Sequence, residues 1–282
     1  MIIVFGASGL LGSTICNLLK SKKKEYIGFS KSKSGFKKIN LLNKKNIIKI
    51  FKKNNPSIII NCTGLTDVDE CNRNIKKAYI ANCLIVKNIV ESLNYTKKKT
   101  HLIHISTDQI YNSPNILKSN LESSKNLNNV YSITKYIGEK NIENYKNSLI
   151  IRTNFFGKSI SKYKKSYSDF IIKNLKNKKE IRLPRNVIFN PVDINFLASK
   201  ILKLGDLKVK GVYNLGSKDS ISKYNFGILI AQKFNLEKKY IKKFKSSYKI
   251  NRRPLGTYMS TKKISKYFKL PLIKDFINSM KV

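Results

Sequence analysis

The first half of the chain alternates short apolar runs with longer stretches in which apolar residues recur at helical spacing. Apolar runs of this length are typical of strands buried on both faces of a parallel sheet. The strand candidates are Ile2–Phe5, Glu25–Phe29, Ser57–Asn61, His101–Ser106 and Leu149–Arg152, and the helix candidates between them are Leu10–Lys20, Lys45–Lys53, Ile75–Leu93 and Val130–Tyr145. This order predicts an α/β fold with a doubly wound parallel sheet, right-handed crossovers and helices on both faces.

The alternation of predicted strands and helices changes after Arg152, where helical patterns are joined by much shorter strand candidates. The helix candidates are Tyr167–Lys176, Ile194–Leu204, Lys223–Phe234 and Thr261–Phe268, and the strand candidates are Val187–Phe189 and Gly211–Asn214. We therefore expect a main domain over residues 1–152 and a smaller C-terminal region over residues 153–282. The second region is expected to be partly interleaved with the main sheet.

Composition narrows the class of protein. A chain of 282 residues with 41% hydrophobic residues is long enough for an ample core, and no apolar run reaches the length of a membrane span. Because the first residues already form a strand candidate, we expect no signal peptide. The four cysteines lack metal-type spacing, so free thiols in a cytoplasmic protein without a bound metal are expected.

The formal net charge of +41 raises the question of nucleic-acid binding. Only six of the 57 basic residues are arginine, and the lysines are spread over the whole chain. A dispersed charge is unlike the clustered Arg/Lys face of nucleic-acid-binding proteins, so no specific nucleic-acid partner is predicted. The diffuse positive field should still attract anionic nucleotides and make binding sensitive to salt.

Glycines follow the first strand at positions that favour a phosphate-binding turn. Gly6 permits a tight turn, Gly9 lets the backbone approach phosphates, and Gly12 lets the following helix pack closely on the sheet. A helix N-terminus after such a turn binds a dinucleotide pyrophosphate. The spacing is G-x-x-G-x-x-G, which matches the dinucleotide fingerprint loosely, and an ordinary strand-to-helix turn is the alternative.

The end of the second strand bears on which dinucleotide is bound. An acidic residue there would bind a ribose 2′-hydroxyl, but the sequence has Ser30 and Lys31 instead. These residues suit a 2′-phosphate and favour NADPH over NADH. The alternative is that Lys31 is one more lysine of a lysine-rich chain.

Tyr131 and Lys135 are the candidate proton-transfer pair. Residues four apart share one helix face, and a nearby ammonium group is expected to lower the pKa of the tyrosine phenol, which would then protonate a developing alkoxide. Thr107, at the end of the fourth strand, would hold the same oxygen. The spacing also occurs at Tyr95/Lys99, Tyr136/Lys140 and Tyr258/Lys262, but only Tyr131 begins a helix after the Ser106-Thr107-Asp108 strand end.

Several blocks together resemble the extended short-chain dehydrogenase/reductases, and within them the dTDP-4-dehydrorhamnose reductase group of sugar-nucleotide-binding proteins. They are the glycine turn, Asn61-Cys62-Thr63-Gly64, Ser106-Thr107-Asp108-Gln109-Ile110-Tyr111, Tyr131–Lys135, Arg152-Thr153-Asn154-Phe155 and Arg253-Pro254. The resemblance runs from residue 1 to about 265. It implies a Rossmann domain, a C-terminal region that holds the sugar, and NAD(P)H-dependent reduction of a 4-keto sugar nucleotide for surface polysaccharide.

The resemblance also implies the site residues. Thr107, Tyr131 and Lys135 would be catalytic, and Thr107, Asp108, Asn154 and Phe155 would bind substrate. Cofactor contacts would come from Gly6, Ser8, Gly9, Leu10, Leu11, Gly12, Ser30, Lys31, Asn40, Leu41, Cys62, Thr63, Gly64, Tyr131 and Lys135. Two positions depart from the group: Asn40 replaces an aspartate beside the adenine, and Phe155 replaces a tryptophan beside the sugar.

The activities of related enzyme groups fit this sequence less well. Gln109 stands where the related dehydratases carry a glutamate, and glutamine cannot exchange a proton in that way. The only histidines, His101 and His104, fall within a strand buried on both faces, where packing is expected rather than acid/base catalysis. An epimerase with tightly bound NAD and a non-catalytic NAD(P)-binding regulatory subunit remain as alternatives. The sequence leaves open whether the chain acts alone or as a homodimer.

Overall fold

The computed structural model describes residues 1–31, 35–111, 125, 127–161, 164–247 and 253–281. Its strands are β1 Ile2–Phe5, β2 Tyr26–Ser30, β3 Lys37–Lys38, β4 Ile58–Asn61, β5 His101–Thr107, β6 Ser148–Thr153, β7 Phe155–Phe156, β8 Ile181–Pro184, β9 Ile188–Phe189, β10 Val192–Asp193, β11 Gly211–Leu215, β12 Ile221–Ser222 and β13 Ile241–Phe244. Its α-helices are α1 Leu10–Ser21, α2 Lys44–Asn54, α3 Val68–Arg73, α4 Ile75–Tyr79, α5 Ile85–Thr96, α6 Val130–Lys140, α7 Tyr167–Lys176, α8 Ile194–Asp206, α9 Lys223–Lys233 and α10 Ile273–Ser279.

A seven-stranded sheet in the order β11-β6-β5-β4-β1-β2-β3 forms the centre of the molecule. Every neighbouring pair of strands in it is parallel. The predicted α/β fold with a Rossmann-type parallel sheet is therefore confirmed. Because the strands run the same way, their carboxyl ends meet along one edge, where ligands of such sheets bind.

The core lies on both faces of the sheet, as the apolar run of β1 requires. Ile2 and Val4 pack in the cluster that contains α1 and α8. Ile3 and Phe5 pack in the second cluster, with α2 and α5. Alternate side chains of one strand thus enter opposite layers, which is why the run has no polar position.

The C-terminal region contributes to the main sheet and also forms small sheets of its own. Strand β11 pairs with β6 over Gly211–Leu215. The remaining strands after β6 form the two-stranded sheets β10-β7, β12-β9 and β13-β8. Helix α8 packs beneath the main sheet against α1, so residues from both parts of the chain share one core.

Three predicted helices differ from the structure. The helix predicted over residues 75–93 consists of α4, a π-helical turn at Ile80–Leu84, and α5. Helix α6 ends at Lys140 rather than at Tyr145. The prediction for Thr261–Phe268 is wrong, because this segment forms consecutive turns. It packs against the edge of the sheet, where Lys263 Nζ donates to the Val212 carbonyl oxygen at 3.0 Å, and the Tyr267 carbonyl oxygen accepts from Lys203 Nζ at 3.1 Å, so contacts outside the segment hold its turns.

Within the residues described, no helix combines the length and the apolar character needed to cross a bilayer.

Candidate functional site

The glycine turn lies at the carboxyl edge of the sheet, between β1 and α1. Gly6 has φ +76°, and a Cβ there would lie 2.8 Å from the Cys62 carbonyl carbon. A Cβ on Gly12 would lie 2.2 Å from the Gly6 carbonyl oxygen, so α1 packs on the turn only because residue 12 is glycine. Helix α1 has no acidic residue in its first turn, and its free N–H groups are suited to a phosphate.

The other residues predicted around the turn occupy different environments. Ser8, Gly9 and Leu10 are half-buried, whereas the Leu11 side chain is buried in the core and leaves only backbone for a ligand. The Ser8 carbonyl oxygen accepts a hydrogen bond from Ser161 Oγ at 2.7 Å. The turn is thus held from the C-terminal region as well as from the sheet.

The residues predicted for the adenine side of the dinucleotide follow β2. Ser30 is buried and Lys31 is exposed. Asn40 is exposed, and its Oδ1 accepts a hydrogen bond from the Leu42 backbone at 3.0 Å, while Leu41 is buried. No carboxylate stands at this strand end within residues 26–31. The arrangement suits a 2′-phosphate better than a free ribose hydroxyl pair.

Strand β4 brings Cys62, Thr63 and Gly64 between the glycine turn and α6. The backbone of Cys62 and Thr63 lies against Gly6, and a Cβ on Gly64 would lie 3.9 Å from Lys135 Nζ. Burial raises the pKa of the Cys62 thiol, so it packs as a neutral side chain. The glycine turn and the Lys135 amine are therefore joined by one short loop.

Tyr131 and Thr107 converge at the carboxyl end of β5. Both side chains are buried, and Thr107 lies near enough to the Tyr131 phenol to lower its pKa. Asn129 is the N-cap of α6 and forms a capping box with Ser132. The helix therefore begins at Val130, and Tyr131 lies in its first turn. The structure thus brings the two predicted oxygens together.

The pKa of Tyr131 departs from the expected direction. Burial raises the pKa of the Tyr131 phenol above its ordinary value of 10, with further raising by Asp108 and Cys71 and lowering by Thr107. The expected lowering by Lys135 is wrong here, because the Lys135 Nζ donates instead to the Ile105 carbonyl oxygen at 2.6 Å. A raised pKa keeps the phenol protonated at neutral pH, as a proton donor requires.

Lys135 is 3% exposed and lies on the same face of α6 as Tyr131. Burial lowers the pKa of its amine from 10.5 to about 8, against raising by Glu139, Cys62 and Cys83. The Lys135 amine therefore titrates at about pH 8, whereas an exposed lysine stays charged up to about pH 10.

Asp108 and Asn154 extend the site toward the C-terminal region. Asn154 Nδ2 donates to Asp108 Oδ2 at 2.8 Å, and Thr107 Oγ1 donates to Asp108 Oδ1 at 3.1 Å. Burial raises the pKa of the Asp108 carboxyl group, while these hydrogen bonds lower it. Phe155 follows in β7 and is half-buried, with its ring packed against the core.

Two side chains that the sequence did not indicate meet Asp108 from the C-terminal region. Thr257 and the Lys223 ammonium both lie near enough to the Asp108 carboxyl group to lower its pKa. Arg253 lies near Lys223 and donates to Asp69 Oδ2 at 2.7 Å. The Arg253-Pro254 motif could have drawn attention to the segment that contains Thr257, whereas no motif or residue spacing in the sequence indicates Lys223.

Asn82 is a second residue that the sequence did not indicate. It lies in the π-helical turn, accepts from the Leu65 backbone N–H at 2.9 Å and donates to Thr134 Oγ1 at 3.0 Å. It therefore ties the loop after β4 to α6. A lone asparagine within a helical pattern gives no sequence signal for this role.

A buried ion pair supports α6 from below. Arg152 Nη2 lies 2.6 Å from Glu139 Oε2, and Arg152 Nη1 donates to the Tyr111 hydroxyl at 2.6 Å. The Tyr111 hydroxyl donates in turn to Asn214 Oδ1 at 3.0 Å. This network joins α6, β6 and β11 and fixes the helix that carries Tyr131 and Lys135.

The described part of the chain contains no group of three or more His, Cys, Asp or Glu side chains arranged to hold a metal ion. Its four cysteines are free thiols.

Comparisons with known proteins bear on the family and on the fold. A profile of the family described as "RmlD substrate binding domain" matches residues 1–280. The spore coat polysaccharide biosynthesis protein SpsK of Bacillus subtilis is 27% identical over 238 residues, which cover 84% of this chain and 80% of that protein. The methionine adenosyltransferase 2 subunit beta of Xenopus laevis is 22% identical over 251 residues, which cover 85% of this chain and 74% of that protein.

A similar fold occurs in the crystal structure of dTDP-4-dehydrorhamnose reductase from Bacillus anthracis in complex with NADP. The TM-score is 0.87 at 21% sequence identity, over 99% of this chain and 97% of that one. This likeness concerns the fold of the whole chain, including the C-terminal region.

Proposed function

Because the chain belongs to the RmlD substrate binding domain family, we propose that it is an NADPH-dependent reductase of a 4-keto deoxysugar nucleotide. Residues 1–152 bind the dinucleotide, and residues 153–282 bind the sugar nucleotide. NADPH, when bound, would supply the hydride for the ketone carbon. The observation that carries the proposal is the burial of Thr107, Tyr131 and Lys135 together at the carboxyl end of β5, where the Lys135 amine donates to the Ile105 carbonyl oxygen.

The residues present fit a dinucleotide. Side chains at positions 6 and 12 would fill the turn, and α1 begins there without an acidic residue. Gly6, Ser8, Gly9, Leu10 and Gly12, with the Leu11 backbone, would hold the pyrophosphate. Ser30 and Lys31 would receive the 2′-phosphate, and NADH is the weaker alternative. Asn40 and Leu41 would contact the adenine, and Cys62, Thr63 and Gly64 would line the nicotinamide side.

The reaction assigns one role to each buried group. Tyr131 gives its phenolic proton to the oxygen that forms from the ketone, and Thr107 orients that oxygen by a hydrogen bond. Lys135 would hold the nicotinamide ribose through its ammonium group. Asp108, Asn154 and Phe155 position the sugar, so that the carbonyl meets Tyr131 at the carboxyl end of β5.

The similarity to a protein of spore coat polysaccharide biosynthesis supports a polysaccharide precursor as the substrate.

The test is to mix the protein with NADPH and a panel of 4-keto sugar nucleotides and to follow loss of the reduced cofactor. Turnover of at least one member supports the proposal. Absence of turnover across the panel, with NADPH bound, would contradict it.

A non-catalytic binding subunit is the second candidate, favoured by the similarity to a methionine adenosyltransferase subunit. A regulatory subunit does not need a proton donor, yet Thr107, Tyr131 and Lys135 are all present and buried together. A homodimer would be compatible with either function. Sedimentation of the protein alone would measure its oligomeric state.

A further inference from the structure

His104 is a buried titratable residue that the proposed reaction does not use. It lies in β5 with no exposed surface, between Asn61 of β4 and Lys135 of α6. Its Nδ1 is 3.1 Å from Asn61 Nδ2, and its Nε2 is 3.5 Å from Lys135 Nζ. The imidazole therefore joins a fixed amide to the candidate catalytic lysine.

The orientation of the Asn61 amide is determined by Thr63. The Thr63 backbone N–H, which can only donate, lies 3.1 Å from Asn61 Oδ1, and the Thr63 hydroxyl donates to the same oxygen at 2.6 Å. Asn61 Nδ2 must therefore face His104, and it can only donate. The His104 Nδ1 atom then has to be the acceptor and carries no proton.

The position of the imidazole proton follows. A neutral imidazole with an unprotonated Nδ1 has its proton on Nε2, the atom that faces Lys135. A charged imidazole would place an Nδ1–H against the Asn61 N–H, and burial also lowers the pKa of His104 well below 6.5. His104 is thus held neutral, with one N–H bond directed at the lysine amine.

We propose that His104 is a positioning residue for Lys135: its Nε2–H confines the amine to the side of the Ile105 carbonyl and opposes a full positive charge there. The Ile105 carbonyl oxygen accepts from Lys135 Nζ at 2.6 Å. The titratable groups near the amine are Glu139, four residues later on α6 itself, Cys62 after β4 and Cys83 in the π-helical turn, and all three raise the pKa of the amine. Burial and the His104 N–H act in the opposite direction.

The consequence is a lysine whose charge depends on pH near neutrality, in place of a permanent cation. An unprotonated Lys135 Nζ can accept from His104 Nε2–H while it still donates to Ile105. A protonated Lys135 amine also donates to Ile105, but the positive end of the His104 Nε2–H dipole then points at the ammonium group. The role of this pair in catalysis rests on the proposed reductase function, whereas the state of His104 does not.

The state of His104 is tested without any turnover, by nitrogen NMR of protein labelled with 15N-histidine. The chain has only two histidines, so a His101→Phe variant assigns both signals. We expect the neutral Nε2–H form of His104 at about pH 6, where a free histidine is largely charged. We also expect its signal to shift with a midpoint near 8 as Lys135 titrates, and this shift to vanish in Lys135→Met. A charged His104, the opposite tautomer, or a signal insensitive to Lys135 would overturn the proposal.

The pH profile tests the link to catalysis. In His104→Phe, which removes the N–H, the fall of kcat/KM at high pH should move upward by about one pH unit. His104→Gln keeps an N–H donor and should stay nearer to the wild type. His101→Phe, at the other end of the same strand, should leave the midpoint unchanged. A purely structural role for His104 would lower activity equally at every pH, and this result would contradict the proposal even if the reductase function holds.

Discussion

The Lys135 amine donates to the Ile105 carbonyl oxygen at 2.6 Å, two residues before Thr107 on the same strand. This bond ties α6 to β5. Tyr131 lies one helical turn before Lys135 on the same helix face, and its phenol lies near the Thr107 hydroxyl. The candidate site is thus built by one helix docked on one strand end, with the glycine turn joined to it through Cys62–Gly64.

Gly6→Ala should destabilise the protein and weaken NADPH binding by tenfold or more. Gly6 and Gly35 both have φ +76°, so alanine strains the backbone at either position. Only at Gly6 would the new Cβ also meet the Cys62 backbone at 2.8 Å, while nothing lies within 4 Å at Gly35. Calorimetry of NADPH binding to both variants, with thermal unfolding, measures the difference. Equal effects would mean that the turn is not closely packed.

Lys31→Glu should lower kcat/KM for NADPH by about tenfold and leave the NADH value nearly unchanged, because a 2′-phosphate would meet a carboxylate. Lys210→Glu is the matched control: it makes the same change in net charge before β11, at the opposite edge of the sheet. If both variants lose NADPH activity equally, the general positive field rather than Lys31 selects the cofactor.

Glu139→Gln should destabilise the fold by about 3–5 kcal/mol, because it leaves the buried Arg152 charge without its partner. Glu143→Gln removes an exposed ion pair with Lys140 and should change the unfolding free energy by less than about 1 kcal/mol. Urea unfolding at neutral pH measures both values. A small effect of Glu139→Gln would mean that water reaches Arg152.

Lys135→Met should change how stability depends on pH. Below about pH 8 the lysine is charged in the folded and the unfolded chain; between about 8 and 10.5 only the unfolded chain keeps the proton. The unfolding free energy of the wild type should therefore rise with pH over this interval relative to Lys135→Met, by up to about 3 kcal/mol. Urea unfolding between pH 7 and 10 checks this, with the exposed Lys140→Met as control. A constant difference between wild type and Lys135→Met would contradict the lowered pKa.

The parts of the molecule that depend on local sequence could be predicted. The β1 run and its glycines specify a buried strand, a turn and a helix start within twelve residues, and the Tyr131/Lys135 spacing specifies one helix face. The parallel sheet follows from the alternation of elements. These signals come from residues that are close together in the chain, so they can be recognised in a single sequence.

Features that arise from tertiary contacts could not be predicted. Lys223 and Thr257 reach Asp108 from distant segments, and no spacing rule connects them. The direction of the Tyr131 pKa depends on how deeply the phenol is buried and on where the Lys135 amine points. The turns at 262–267, where a helix is predicted, lie against the edge of β11, so this segment also depends on a contact between distant parts of the chain.

The most direct test of the central claim compares Tyr131→Phe with Tyr136→Phe, since both tyrosines are followed four residues later by lysine. With NADPH and the 4-keto sugar nucleotide that the wild type turns over, kcat should fall at least 100-fold in Tyr131→Phe, in line with loss of a general acid, while NADPH affinity changes little. Tyr136→Phe, whose ring packs with Lys140 at 5.4 Å on the helix surface, should keep the wild-type rate. A Tyr131→Phe variant that reduces the sugar at the wild-type rate would contradict the account.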